Sequence, residues 1–390
     1  MLNKSRGERM NKKFFYLFLI LMIVLAGCKK AEESVQIEII DGIPHVMNPE
    51  LPLKGTILLE VEKGLEIDPY KYEEIGIRYF NHVRDEDGEV ILFDSSQSEA
   101  HRFEARGNYL GNLVRLGQGP GEFRQYAGLR IHFMNDQIWV TGWPKWAKYD
   151  KNGQYLGEQR LELMPRFFVD DHRCIATKSR TIEGDTELRQ VILADLSVQE
   201  GTEREISLYE DTREWIIRKG RSAFADEWAT PEIFYDYSAF SQNVFIALNL
   251  NYEIYIKDLQ GETLHVIKRP YETVKVGPKE KEIIVDWALQ SESSQWILDA
   301  YPDTLVAIKS VKILPRGYLA VYRVSAPKMF EIDVFDPEGK FVYILKAPDE
   351  VSMEEARFYN FGFSALETRN DFRFYVEYKV KNLPEIFTSD

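Results

Sequence analysis

The chain has 390 residues, 44% hydrophobic and 29% charged, which is ample material for a core; its 23 Phe, 21 Tyr and 7 Trp exclude a disordered polymer. Two cysteines, Cys28 and Cys174, exclude a disulfide scaffold. With 49 basic and 63 acidic side chains the net charge is −14, the wrong sign for phosphate contacts, so nucleic acid is excluded as a partner.

Lys12 and Lys13 precede an unbroken apolar run from Phe14 to Ala26, shorter than the ~20 residues of a spanning helix. A basic start, a short apolar stretch and small residues before a cleavage point describe an export signal over residues 1–27. Residues 1–9 add nothing to it, so Met10 is an alternative start to Met1. Leu25-Ala26-Gly27-Cys28 resembles the lipobox of bacterial lipoproteins. The resemblance implies that Cys28 carries lipid and becomes the first residue of the mature chain, with 28–34 as a linker. Cleavage removes Lys4, Arg6, Arg9, Lys12 and Lys13 but only one acid, Glu8. The mature body is more acidic still, so lipid and not charge would hold it at a membrane. Cys174, followed by Ile175-Ala176, reads as a buried strand residue.

A pattern of acid, two residues, glycine, one residue and a strand-forming pair recurs along the chain. It appears as Glu104-Ala105-Arg106-Gly107-Asn108-Tyr109-Leu110 and Asp150-Lys151-Asn152-Gly153-Gln154-Tyr155-Leu156. It returns at Asp258-Leu259-Gln260-Gly261-Glu262-Thr263-Leu264 and Asp336-Pro337-Glu338-Gly339-Lys340-Phe341-Val342, with a degenerate copy from Asp195 whose glycine is displaced to Gly201. Each copy reads as a hairpin: the glycine supplies positive φ and the acid binds turn amides. The early spacing suits four-stranded propeller blades of ~40–45 residues. Blades are expected at 75–117, 124–164, 165–208, 233–270 and 303–347, with insertions at 209–232 and 271–302. The second insertion carries an expected amphipathic helix over 278–298, including Ile283, Ile284, Trp287 and Ala288. The stretch 357–390 holds only two or three strands. Strands 35–40 and 57–61 are expected to join it in a sixth blade, removing exposed sheet edges. The fold class is therefore all-β, one six-bladed β-propeller over 35–390.

At this point the chain resembles the six-bladed β-propeller lipoproteins of Gram-negative envelopes, relatives of NHL-type propellers. Gly117-Gln118-Gly119-Pro120-Gly121-Glu122-Phe123, after a strand carrying Tyr109-Leu110-Gly111, looks like that family's signature loop, and Asp41-Gly42-Ile43-Pro44 fits it too. The resemblance implies the fold and a lipid-anchored place in the envelope, the outer membrane before the inner. It implies little chemistry.

Candidate sites are few. In the loop Gly117–Phe123, Glu122-Phe123 stands where a phosphate loop needs Lys-Ser/Thr, so it reads as a crossover between blades with Phe123 in the core. The six histidines show no metal-ligand spacing, and Asp170-Asp171-His172 reads as a turn, so neither metal nor cofactor is expected. No Gly-x-Ser-x-Gly elbow occurs. Arg130 and His132 alternate with Leu129 and Ile131 on an expected innermost strand, which aims them at the central channel. Trp143 and Trp146, in Trp-Pro-Lys-Trp beside Trp139, are expected in a hairpin with partly exposed rings able to stack on a sugar or peptide. The expected function is a membrane-anchored binding scaffold for a glycan, peptide or envelope protein. The alternatives are a metal-dependent hydrolase or lactonase with its site in the channel, and a structural subunit of an envelope complex.

Overall fold

The computed structural model describes residues 34–387 apart from 78, 161–162, 184–185, 198–204, 215–216, 220–221, 225–227, 285–294 and 383. The export signal, Cys28, Gly201, Trp215, Trp287 and Ala288 lie outside the described residues.

Four N-terminal strands, β1 (Gln36–Ile40), β2 (Ile43–Met47), β3 (Thr56–Leu58) and β4 (Val61–Ile67), precede the first blade. Blade one is β5 (Asn81–Arg84), β6 (Val90–Asp94), β7 (Glu99–Phe103) and β8 (Tyr109–Val114). Blade two is β9 (Arg130–Met134), β10 (Gln137–Gly142), β11 (Lys145–Asp150) and β12 (Tyr155–Arg160). Blade three is β13 (Pro165–Phe168), β14 (Arg173–Glu183), β15 (Thr186–Asp195) and β16 (Glu205–Glu214); a separate hairpin, β17 (Ile217–Lys219) and β18 (Ser222–Phe224), follows. Residues 209–214 thus belong to the outer strand of blade three and not to the insertion expected there.

Blade four is β19 (Ile233–Ser238), β20 (Asn243–Leu248), β21 (Glu253–Lys257) and β22 (Thr263–Lys268). Among the described residues the second insertion holds the helices α1 (Pro278–Ile284) and α2 (Gln295–Ala300); the middle of the helix expected over 278–298 lies outside them. Ile297 and Tyr301 share an apolar core with Trp228 and Val324, so the two insertions pack together. Blade five is β23 (Ile308–Ile313), β24 (Leu319–Ala326), β25 (Met329–Phe335) and β26 (Phe341–Lys346). Blade six takes β27 (Arg357–Tyr359), β28 (Gly362–Arg369) and β29 (Phe372–Val380) from the C-terminus and β4 from the N-terminus.

The recurrent turns explain the regularity. They join the third and fourth strands of blades one, two, four and five, and in each the glycine amide donates to the carbonyl of the acid: Gly107 to Glu104 at 2.7 Å, Gly153 to Asp150 at 2.9 Å, Gly261 to Asp258 at 3.2 Å and Gly339 to Asp336 at 2.9 Å. All four glycines have φ between +82° and +88°, where a side chain would be strained. In the last three the Asp Oδ1 also accepts two turn amides, as Asp150 does from Asn152 at 2.9 Å and Gln154 at 2.8 Å.

Between the turns, period-2 alternation supplies both faces of each blade. On β6, Val90 and Leu92 pack toward blade six while Ile91 and Phe93 pack toward blade two. Inner blades have no solvent face. On β29, therefore, Tyr375 enters one inter-blade core and Val376 and Tyr378 the other.

Ring closure differs from expectation in its choice of strand. β2 lies parallel on the outer edge of β22, β3 lies parallel on the outer edge of β26, and only β4 enters blade six, antiparallel to β29, from Val61 opposite Val380 to Ile67 opposite Tyr375. The N-terminal segment thus crosses the outer edges of blades four, five and six in turn. Buried Asn48 pins the crossing: its Nδ2 donates to Gly339 O at 2.9 Å and its Oδ1 accepts from Phe341 N at 2.7 Å. Residues 35–40 therefore cap blade four and are not part of the closing blade. The physical reason is edge protection, since each outer strand otherwise presents unpaired amides.

Candidate functional site

The first strands of the six blades, β5, β9, β13, β19, β23 and β27, surround the axis. Their alternation divides side chains into two sets. Val83, Ile131, Phe167, Tyr235, Val311 and Phe358 go into or against inter-blade cores. The opposite parity carries His82 and Arg84, Arg130 and His132, Arg166, Asp236, Lys312, and Arg357 and Tyr359. These strands hold one acid, Asp236, against Arg84, Arg130, Arg166, Lys309, Lys312 and Arg357. In a chain of net charge −14 that is a local reversal of sign.

At the C-terminal ends of these strands lies a cavity of about 1200 Å³. Arg84, Phe133, Ala239, Ile313, Tyr359 and Phe361 are among its walls, so five blades meet there. Tyr359 and Phe361 stack with centroids 5.4 Å apart and planes 4° apart, and the Arg84 guanidinium lies 4.7 Å from the Phe361 centroid. Glu377 holds Arg84 in place at 2.8 Å. Acids rim this mouth: Asp85, Glu86, Asp87 and Asp136, with Lys151 paired to Asp87 at 2.5 Å.

Deeper in, His82 Nε2 is 2.7 Å from Ser364 Oγ, and burial holds its imidazole well below the usual range, neutral at physiological pH. Burial pulls His132 down to about 3, and the charges of Arg130 and Arg357 act in the same direction. Its ring meets Phe168 edge-on at 5.1 Å, while Nε2 is shielded and, among the described residues, without a hydrogen-bond partner. Burial lowers the Lys312 ammonium to about 7, Arg357 adding to the effect and Asp236, Glu355 and Glu354 opposing it. Lys312 Nζ donates to Glu354 O at 2.8 Å and Ala356 O at 2.9 Å. Asp236 is raised by burial; Oδ2 accepts from Ile313 N at 2.7 Å and Oδ1 from Tyr237 N at 2.8 Å.

The residues singled out in blade two separate. Arg130 and His132 are two apart on β9, on the polar parity of the channel. Trp143 sits in the turn between β10 and β11, before a cis Pro144, with 42% of its surface exposed. Trp146 is buried, stacked on Trp139 at 4.7 Å and 19°, with Lys148 Nζ 3.9 Å from the Trp139 centroid. The exposed ring expected of Trp146 is therefore absent, because the core between blades two and three takes it. Cys28 lies outside the described residues. Buried Cys174, its thiol pushed up to about 12 by burial, is unreactive.

The loop Gly117–Phe123 is saturated internally. Gly119 N donates to Glu122 Oε2 at 2.9 Å, Gly121 N to Glu158 Oε2 at 3.0 Å, and Phe123 is buried between blades one and two. Asp170 caps its own turn through the amides of His172 and Arg173. Among the described residues no three His, Cys, Asp or Glu side chains are grouped so as to hold a metal ion. Among them too, no helix is long and apolar enough to cross a membrane.

Six radial sheets about a polar channel define a six-bladed β-propeller protein. Residues 72–186, covering the first two blades and the start of the third, match the family model DUF5128, described as a 6-bladed beta-propeller. A putative exported protein from Bacteroides fragilis is similar at 11% identity and a TM-score of 0.48, over 87% of this chain and 100% of that one. A member of the DUF4221 family from Bacteroides vulgatus is similar at 10% identity and 0.45, over 84% and 100%. Virginiamycin B lyase from Staphylococcus aureus is similar at 10% and 0.37, over 82% and 100%. No curated protein matches the chain.

Proposed function

We propose that this chain is an exported, lipid-anchored binding protein of the envelope that receives a small ligand in its axial channel. The observation that carries the reading is the convergence of polar inner-strand side chains on one axis, opening into the cavity walled by Arg84, Tyr359 and Phe361. A propeller frame licenses no particular chemistry, so the site must supply the argument. The stacked Tyr359–Phe361 pair offers a flat face, and the groups around it offer directional hydrogen bonds. The burial of Trp146 weighs against a binding rim built on the blade-two tryptophans. Anchoring rests on the Leu25–Cys28 sequence; the hairpin that follows soon after, with Ile37 and Ile39 each 66% exposed, would lie on the side nearest the lipid.

Two experiments test this. Cys28→Ser is expected to move the chain from the membrane fraction to the soluble one; continued sedimentation with membranes contradicts the anchor. The full chain, purified in detergent from its own envelope, is expected to retain a small molecule detectable by mass spectrometry. Phe361→Ala should lose it and Trp143→Ala should keep it. Retention indifferent to Phe361 contradicts the channel reading, and turnover of the retained molecule would favour the hydrolase alternative.

A further inference from the structure

Where arginine is shielded in the blades, it is paired. Arg102 meets Glu89 at 2.6 Å, Arg269 and Arg323 meet buried Asp333 at 2.5 and 3.0 Å, and Arg84 meets Glu377 at 2.8 Å. Three further guanidinium groups, all on inner strands, are less shielded, Arg130 and Arg357 being exposed and Arg166 half-buried. Arg130 donates Nη1 to Pro165 O at 3.0 Å; Arg166 lies 4.7 Å from the Tyr235 centroid; Arg357 has no hydrogen bond or ion pair among the described residues. None of the three has a carboxylate partner there.

They share one space. The charge of Arg357 acts on His82, His132, Asp236 and Lys312, which belong to blades one, two, four and five. On β27 Phe358 packs against an inter-blade core, so Arg357 beside it stands on the axial set of that strand. Arg166 of blade three likewise acts on Arg130 of blade two and on Tyr235 and Asp236 of blade four. Asp236, the one inner-strand acid, spends both oxygens on backbone amides. Like charges gathered at one end of the passage, open to solvent at Arg130 and Arg357, repel one another and draw anions to that end.

Resting on the channel reading above, we propose that the ligand is a compact molecule bearing anionic oxygens, a carboxylate, phosphate or sulfate, clamped by Arg130, Arg166 and Arg357 with His132 Nε2 as a further partner. Planar guanidinium forks match such groups bidentately. The shielded Nε2 of His132, without a partner among the described residues, then gains a hydrogen bond. The acidic rim of Asp85, Glu86, Asp87 and Asp136 disfavours approach from the cavity mouth. The anion would enter at the opposite face, where β9 and β27 begin with Arg130 and Arg357 and β13 carries Arg166 as its second residue.

The test is calorimetric titration of the full chain in detergent with citrate, inorganic phosphate, sulfate and neutral glucose, at low and high salt. At least one anion should bind and glucose should not; which anion binds identifies the oxyanion. Arg357→Gln and Arg166→Gln should each weaken binding roughly 10- to 100-fold, the loss typical of a charged hydrogen bond. Arg106→Gln, in the exposed turn after β7, should not change it. Without anion, Arg357→Gln should raise the thermal midpoint by about 1–2 °C, because repulsion is relieved, and should abolish the shift that anion gives the wild type. Failure of every anion to bind overturns the proposal, as does equal affinity in the arginine variants. A neutral molecule retained from the envelope and lost in Phe361→Ala would overturn the anion while leaving the channel reading intact.

Discussion

The two tryptophans of the blade-two hairpin show how a single position decides a role. Trp143 and Trp146 are three apart, flank the same cis-proline turn and carry the same side chain. Trp146 faces Trp139 across the core between blades two and three, while Trp143 stands in the turn itself. Trp146→Ala is expected to cost ~3–5 kcal/mol, the usual range for deleting a buried aromatic. Trp143→Ala should cost under about 1 kcal/mol, as changes outside the core do. Chemical denaturation of both variants checks this; equal losses would contradict the assignment. Sequence could not separate the two, since the strand boundary at Lys145 sets which ring turns inward. Arg130 and His132, by contrast, follow from strict alternation with Leu129 and Ile131. The rest of the inner-strand set, Arg166, Lys312 and Arg357, has no local signature, because each stands in a strand of six residues or fewer whose role as innermost strand is fixed only by the ring.

At the scale of elements, the third-to-fourth strand turns were legible because glycine and acid each have one stereochemical task at one offset. The closing strand was not. β4 reads Val-Glu-Lys-Gly-Leu-Glu-Ile, an outermost strand with a largely exposed face and little apolar signal. What fixes it is pairing. Arg369 binds Glu66 at 2.9 and 3.1 Å, and Glu60 N donates to Asn382 Oδ1 at 2.8 Å. Hydrogen bonds from Arg369 and Lys63 lower Glu66 from 4.5 to about 2. A carboxyl depressed by folding stabilises fully above its unfolded value of 4.5 and ceases to do so as pH falls through about 2. Being partly exposed, the pair contributes under about 1 kcal/mol. Glu66→Gln should lower the thermal midpoint slightly at pH 7 and give a shallower decline than wild type between pH 4.5 and 2; an unchanged decline would show that the pair does not form.

For the molecule as a whole, the contrast that matters is an acidic body around a basic bore. Composition reports only the sum, so a net charge of −14 concealed inner strands whose axial set carries five basic residues, Arg84, Arg130, Arg166, Lys312 and Arg357, and one acid, Asp236. The turn repeat and the need to protect edges made the six-bladed ring legible, whereas the path of the N-terminal segment over three blades depends on long-range pairs such as Asn48 with Phe341 that no local pattern encodes.

The channel exists only if the ring is closed by β4 on β29. Glu62 and Lys379 stand opposite one another in that pairing, at the Cα separation that antiparallel partners and disulfides share. Glu62→Cys combined with Lys379→Cys should form an intramolecular disulfide under mild oxidation, seen as a faster band on non-reducing gels, and should raise the thermal midpoint in the oxidised form alone. Absence of the cross-link in folded protein, together with cross-linking of Ile37→Cys to Lys379→Cys instead, would place a different strand in the sixth blade and contradict the closed channel described above.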